Sequence, residues 1–154
     1  MASTSDILAA SGKFYAALNG MARGDAAAMA GVWARRGRAT AQHPIGGRDV
    51  GHDEVVASFA RVADIAGGGE IRLEDQIIET GSDMAVETGT EIGSLIIAGH
   101  EVTIRHRVTN VYRREDGSWK LTHHHTDISP RLLEILDRLN QAAVSRDEVA
   151  PPPR

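Results

Sequence analysis

The chain has 154 residues, 42% of them hydrophobic, which suits one globular core and is short for two. It contains no cysteine, so disulfides, thiolate nucleophiles and thiolate-bound metals are excluded. Its 17 basic and 21 acidic residues give a net charge of -4 without a basic cluster, so we expect no nucleic-acid partner. No segment reads as a membrane span or a secretory signal, so we expect a cytoplasmic protein without a membrane partner.

The N-terminal half is predicted to be mainly helical. Apolar residues recur at three- and four-residue spacing, the period of an amphipathic helix, and Asp25 is placed to cap the second such segment. Pro44 ends a short strand, and the three glycines from Gly67 end the third helix. The predicted helices cover residues 3–24, 26–36 and 52–66, and the predicted strand covers residues 38–44.

The C-terminal half is predicted to be a meander of long strands followed by one helix. Glycine-containing turns separate the strands, and Ser129 with Pro130 begins the helix. The predicted strands cover residues 70–79, 83–97, 101–115 and 118–129, and the helix covers about 130–143. We therefore expect one α+β domain over residues 1–145, with helices packed on the concave face of a strongly curved, mixed or antiparallel sheet. The polar, proline-rich residues 146–154 are predicted to be a disordered tail.

The element order and the segment "RVTNVYRREDGSWKLTHHHTDIS" resemble the nuclear transport factor 2-like superfamily, and its SnoaL-like branch most closely. The resemblance covers residues from about 5 to 128. It implies a cone-shaped α+β barrel with a cavity between sheet and helices. Members of this superfamily include ketosteroid isomerases, polyketide cyclases, dehydratases, kinase association domains and proteins without known activity, so the fold alone does not identify a function.

Strand alternation predicts which side chains line this cavity, because residues two apart share a face. In the last strand, Leu121, His123, His125 and Asp127 share a face, and in the preceding strand Arg107, Thr109 and Val111 do so. We predict that both sets point into the cone, in a cavity of several hundred Å³.

Acid/base chemistry by histidine is the predicted activity, because imidazole exchanges protons near neutral pH. The candidate catalytic residues are His43, His123, His125, Arg107 and Tyr15, and the candidate substrate-binding residues are Thr109, Val111, Trp33, Phe59 and Asp127. The resemblance to ketosteroid isomerases places His43 at the position of that family's catalytic aspartate, before a Pro-x-Gly, and Tyr15 near its phenol. We expect a cofactor-independent isomerase, cyclase, dehydratase or hydrolase acting on a small carbonyl or polyketide-like compound.

Other interpretations of the histidines remain open. His123 and His125 could share a metal ion if His43, His106 or Glu87 supplied a third ligand, although we expect no metal. The segment "HHHTDISP" also resembles the "HHHSS" signature of iota-class carbonic anhydrases, with Asp127 replacing the second serine. Alternatively, the polar cluster only satisfies buried groups in a non-catalytic domain.

The far face of the sheet, with Val108 and Tyr112, is predicted to be too apolar to remain in water. This predicts a homodimer formed through the sheet. The C-terminal helix is expected either to cover the cavity or to extend that interface.

Overall fold

The structure, a computed structural model, describes residues 2–149, with side chains described for residues 2–145. Over this range the chain forms an α+β domain with the predicted cone shape. The helices are α1 (Thr4–Ala22), α2 (Met29–Val32), α3 (His52–Ala63) and α4 (Pro130–Val149). The strands are β1 (Thr40–Gln42), β2 (Asp49–Val50), β3 (Ala66–Thr80), β4 (Met84–Ile97), β5 (His100–Glu115) and β6 (Ser118–Thr126).

The six strands form a single sheet in the order β2-β1-β6-β5-β4-β3. All neighbours are antiparallel except β1 and β6, so the sheet is mixed as predicted. Strands β3 and β4 approach closely at Gly93, where a β carbon would overlap the carbonyl oxygen of Glu70. The positive φ of Gly93 also favours glycine at this bend.

The core lies between the concave face of the sheet and helices α1 and α3. Phe14 of α1 packs edge-to-face against Tyr15, Trp33 and Phe59, with ring centroids 5.0 to 6.3 Å apart. Burial of these rings fixes α1 and α3 relative to the sheet. Among residues 2–149, no helix is long and apolar enough to cross a membrane.

The prediction that Val108 and Tyr112 face outward is wrong. Val108 is 3% exposed and Tyr112 is 1% exposed, and both belong to the interior face of β5. The same face carries Val102 and Ile104, so it is the core-facing side of the strand. These residues therefore give no argument for a dimer through the sheet.

Helix α4 begins where predicted and extends further. The hydroxyl Oγ of Ser129 accepts a hydrogen bond from the Leu132 backbone N–H at 3.3 Å, which caps the first turn. The helix continues to Val149, beyond its predicted end near residue 143. The disordered tail over residues 146–154 stays a prediction. Residues 150–154 of that tail lie outside the described residues.

Candidate functional site

The cone contains a cavity of about 60 Å³ between the sheet and helices α1, α3 and α4. Its walls are mostly apolar side chains from these four elements, and α4 contributes Leu132 and Leu136. The lining residues that carry polar side chains are His43, Ser58, Glu91, His106 and His124. The predicted volume of several hundred Å³ is wrong, because the leucines of α4 occupy part of the cone. The remaining space suits a few waters or a very small ligand.

Alternation along β6 changes at Thr122. Val111 pairs with His123 but Tyr112 pairs with Leu121, so Thr122 is an extra residue that forms a bulge. As a result Leu121 and His124 share the interior face, with exposures of 0% and 2%. The prediction that His123 and His125 point into the cone is therefore wrong, and the middle histidine of the three does so instead.

The prediction that Arg107, Thr109, Val111 and Asp127 line the cavity is also wrong. They lie on the outer side of the sheet, where the Arg107 side chain is 84% exposed and forms a bidentate ion pair with Asp127 at 2.9 Å. Hydrogen bonds from Arg107 lower the pKa of Asp127 to about 2. The physical reason for the outward orientation is that β5 buries its apolar alternate set instead, which leaves the arginine in water.

The interior of β4 and β5 instead carries a buried carboxylate–imidazole pair. Glu91 and His106 are 2% and 6% exposed, and His106 Nε2 lies 2.6 Å from Glu91 Oε1. The Tyr15 hydroxyl donates to Glu91 Oε2 at 2.9 Å. Burial opposes ionisation of Glu91, but hydrogen bonds from His106 and Tyr15 help to hold its pKa below the ordinary value. Glu91 is therefore a buried carboxylate anion whose two oxygens both accept hydrogen bonds.

Tyr15, a candidate catalytic residue from the sequence, does not line the cavity and instead hydrogen-bonds Glu91, which does. Burial, followed by the negative charge of Glu91, raises the pKa of the Tyr15 phenol, so the phenol stays protonated and donates to Glu91. The Tyr15 oxygen in turn accepts a hydrogen bond from Asn110 Nδ2 at 3.1 Å. Tyr15 thus holds the carboxylate of Glu91 in place for His106.

His124 is the second buried imidazole of the site. Its Nδ1 lies 2.6 Å from Asn110 Oδ1, and Phe14 packs against its ring with centroids 5.1 Å apart. Burial lowers the pKa of His124 to about 3, so the ring is neutral at physiological pH. Among the described residues its Nε2 has no hydrogen-bond partner, and the side chain lines the cavity.

A second buried carboxylate, Glu87, lies behind Asn110. Glu87 is 0% exposed and accepts three hydrogen bonds, from Gln76 at 2.6 Å and from Asn110 and Tyr112 at 2.9 Å each. Both carboxylate oxygens are therefore engaged. Glu87 does not line the cavity and acts on it only through Asn110.

His43 and Phe59 are two sequence candidates that the structure brings to the cavity. Their rings pack edge-to-face with centroids 4.8 Å apart. His43 Nε2 lies 3.1 Å from Asp49 Oδ2, although the two atoms are not aligned for a hydrogen bond. Burial lowers the pKa of His43 despite the nearby carboxylate. The remaining candidate, Trp33, packs between helices and does not line the cavity, so its substrate contact stays a prediction without support from the cavity.

A metal site formed by the predicted histidines has little support in the geometry. Within residues 2–149, no group of three His, Cys, Asp or Glu side chains is arranged to hold a metal ion. The ring centroids of His123 and His125 lie 6.0 Å apart, but both lie on the outer side of the sheet and His123 Nδ1 is engaged by Thr40 at 2.7 Å.

Known proteins with similar sequences and structures share the observed fold. A sequence profile described as a SnoaL-like domain matches residues 7–129. A candidate dehydratase of the nuclear transport factor 2-like family from Streptomyces avermitilis is 27% identical, with a TM-score of 0.71 over 81% of this chain and 94% of that one. A candidate association domain of calcium/calmodulin-dependent protein kinase type II from Thiobacillus denitrificans is 26% identical, with a TM-score of 0.61 over 79% of this chain and 94% of that one.

A third solved structure shows similarity of fold alone. This candidate scytalone dehydratase from Novosphingobium aromaticivorans is 11% identical, with a TM-score of 0.67 over 79% of this chain and 80% of that one. No curated protein matches the chain.

Proposed function

Because the chain belongs to the SnoaL-like domain family, we propose that it is a cofactor-independent enzyme that moves a proton next to the carbonyl group of a very small, largely apolar compound. Loss of water from a hydroxy-carbonyl compound is the reaction that we favour. The observation that carries the proposal is the Glu91–His106 pair, which places an oriented imidazole at the wall of an apolar cavity. Similarity to a candidate dehydratase at 27% identity supports this class of reaction.

His106 is the proposed catalytic acid and base. Its Nε2–H donates to the Glu91 carboxylate at 2.6 Å, so the ring orientation is fixed and Nδ1 is the nitrogen that remains for the ligand. Among residues 2–149, no hydrogen-bond partner engages Nδ1, and the side chain lines the cavity. The buried Glu91 charge stabilises the imidazolium that forms when His106 takes a proton.

The other polar side chains of the cavity would orient the ligand. The neutral His124 ring can accept a hydrogen bond from a ligand hydroxyl, and His43, whose ring centroid lies 6.1 Å from that of His124, forms part of the same wall with Phe59. The apolar remainder excludes bulk water, which strengthens the electrostatic effect of Glu91. A ligand with one hydroxyl, one carbonyl and few carbons fits this arrangement.

The proposed elimination balances on a single imidazole. His106 Nδ1 removes a proton from the carbon next to the carbonyl, and the C–H electron pair forms the new carbon–carbon double bond. The C–O bond at the adjacent carbon breaks, and His106 gives the same proton to the departing hydroxyl, so water leaves and the imidazole is regenerated. In an unsaturated ketone, return of the proton to a different carbon of the conjugated enolate would instead give an isomerisation.

Exchange of α protons for deuterium tests the proposal before the natural substrate is known. Small ketones and hydroxy-ketones would be incubated in D₂O with the protein, and deuterium incorporation would be followed by NMR. We expect catalysed exchange with the wild type and a loss of about 100-fold or more in His106→Asn, the range typical of an acid/base residue. His125→Ala is the matched control because His125 lies on the outer side of the sheet.

Two outcomes would contradict the proposal. The wild type would exchange no ketone of the panel faster than buffer does, or His106→Asn would exchange as fast as wild type. In either case the buried pair would be a structural element of the fold.

A non-catalytic domain is the second candidate function. It is favoured by the size of the cavity, about 60 Å³, and by the network in which Glu87, Glu91 and Asn110 are all hydrogen-bonded. The predicted carbonic anhydrase activity has less support, because only the middle histidine of "HHH" faces the interior. A separate assay of carbon dioxide hydration, followed by the release of protons, tests that alternative.

Homodimerisation also stays a prediction. The outer side of the sheet exposes Ile77, Met84 and Val86, with exposures of 61%, 44% and 38%, so a sheet-to-sheet contact would bury them. Light scattering coupled to size-exclusion chromatography tests it, and a monomer at all concentrations would contradict it.

A further inference from the structure

Asn110 connects the buried acid Glu87 with the cavity imidazole of His124. The two protons of the Asn110 amide are both assigned by their partners, because Nδ2 donates to Glu87 Oε1 at 2.9 Å and to the Tyr15 oxygen at 3.1 Å. The Tyr15 hydroxyl proton is itself committed to Glu91 at 2.9 Å, so the Tyr15 oxygen can only accept from Asn110. The orientation of the amide is therefore fixed by hydrogen bonding on one side.

The orientation of Asn110 determines the tautomer of His124. With Nδ2 committed, the atom that faces His124 at 2.6 Å is the carbonyl oxygen Oδ1, which can only accept. His124 Nδ1 must therefore carry a proton and donate it to Asn110. The reverse amide orientation would place Oδ1 beside the carboxylate of Glu87, where two acceptors would repel each other.

From this chain of contacts we infer that Glu87 and Asn110 are positioning residues that fix His124 Nε2 as a hydrogen-bond acceptor, so that the cavity selects ligands carrying a hydroxyl. The inference rests on the proposed function, since it names the group that the ligand presents to His124. Ser58 carries the one hydroxyl among the described lining residues. A hydroxyl can donate or accept a hydrogen bond, so Ser58 does not discriminate between ligands. A ligand with a methyl group in place of the hydroxyl would leave Nε2 buried without a partner.

The tautomer can be measured in the wild-type protein without any ligand. Long-range ¹H–¹⁵N correlation spectra of the imidazole rings distinguish a protonated nitrogen from an unprotonated one. We expect protonated Nδ1 and unprotonated Nε2 for His124. A spectrum with the proton on Nε2 would overturn the inference, whatever the activity of the protein.

Ligand preference is tested with two matched pairs of probes. Hydroxyacetone is compared with 2-butanone, and 4-hydroxy-2-butanone with 2-pentanone, because in each pair a methyl group replaces the hydroxyl. We expect the hydroxyl-bearing probe to bind about tenfold more tightly in NMR titrations, as expected when a buried acceptor would otherwise be unpaired. Hydroxyacetone has no hydroxyl on a carbon β to its carbonyl, so it cannot lose water by this elimination and its binding is measured without dehydration.

Variants connect the preference to Asn110. Asn110→Leu should abolish both the fixed tautomer and the preference for hydroxyl-bearing probes, whereas Thr109→Val on the outer side of the same strand should change neither. If Asn110→Leu does not fold, the wild-type spectrum and titrations still decide. Equal binding within both pairs overturns the inference but leaves the proposed function standing. Failure of all four probes to bind overturns the assignment of a ligand to this cavity, and with it the inference.

Discussion

Glu91 and His106 are direct cross-strand partners on β4 and β5, and their side chains meet inside the cone at 2.6 Å. The backbone register of two long strands therefore sets the distance between the proposed acid/base residue and its carboxylate. A site built in this way is held by the sheet, whose ladder on both sides of the pair is continuous. Its geometry does not depend on a loop.

Glu91→Gln is expected to destabilise the protein by about 1–3 kcal/mol. The amide N–H₂ of glutamine would face either the Nε2–H of His106 or the Tyr15 hydroxyl, and each of these is already a donor to Glu91. Urea denaturation followed by circular dichroism gives the free energy of unfolding. Glu74→Gln is the control, since the Glu74 side chain is 47% exposed. An equal loss of unfolding free energy in this control would contradict a specific stabilising role of the buried Glu91–His106 pair.

Adjacent histidines of the triplet are expected to differ strongly in their effect on stability. His124→Ala should cost more than about 2 kcal/mol, because it removes a fully buried ring that contacts Phe14 and leaves Asn110 Oδ1 without its donor. His125→Ala should change the free energy of unfolding by less than about 0.5 kcal/mol, because its side chain is exposed. Equal effects in denaturant titrations would contradict the bulge at Thr122.

Stability is expected to fall on acidification below about pH 6.5 because of His124. The pKa of His124 is lowered from 6.5 to about 3 by burial. Between these two pH values the unfolded chain binds a proton at His124 and the folded chain does not. The free energy of unfolding therefore rises with pH by about 1.4 kcal/mol per pH unit for this group, and the effect is absent above the unfolded pKa.

The variant His124→Gln isolates this contribution, because other groups such as His43 shift in the same direction. The free energy of unfolding would be measured by denaturation at pH values from 4.5 to 8. Below about pH 6.5 its dependence on pH should be less steep in the variant than in wild type, by close to one proton. Parallel curves for the two proteins would show that His124 is accessible to protons in the folded state.

Leu136→Ala is expected to enlarge the cavity and admit larger ligands. Leu136 lines the cavity from α4 and is only partly buried, so we expect a cost below the 2–5 kcal/mol typical of a fully buried leucine. Thermal-shift screening with ketones of increasing size should show a higher size limit in the variant. Leu139→Ala is the control because Leu139 is 39% exposed, and an unchanged size limit in Leu136→Ala would show that α4 does not define the space.

The fold was predictable because its signals are local. Helical spacing, Asp-Gly and Ala-Gly turns and the Ser129–Pro130 helix start lie within short windows, and each element follows from its own residues. The length of α4 was underestimated because its last turns lack an apolar stripe. Among the site residues, His43 and Phe59 were found, one from the strand end before Pro44 and the other from the apolar stripe of α3.

The inward-facing residues of β5 were missed although the sequence contained their signal. Val102, Ile104, Val108 and Tyr112 alternate regularly, and the same parity places His106 and Asn110 beside them. The polar alternate set was instead assigned to the interior because its groups suit a binding site. Burial of the apolar side chains stabilises the fold more than burial of the polar ones would, so the apolar set of β5 faces the interior.

Two other features could not be predicted from local pattern. Strand β4 has apolar residues on both faces, such as Leu95 inside and Val86 outside, so alternation does not single out Glu91. The bulge at Thr122 has no glycine or proline to mark it. Only pairing with β5 reveals it, and that pairing is a contact between residues distant in sequence.

The extra residue at Thr122 also governs how this chain should be aligned with its relatives. A motif of three identical residues does not show which of them face inward. In this chain the alternation of inward and outward residues changes at Thr122, one position before the motif begins. Aligning letters without a gap at Thr122 would match His123 to the cavity position of any relative that lacks the bulge, although His124 occupies that place in space. Loss or gain of one residue within β6 would exchange the inner and outer histidines without altering the motif itself.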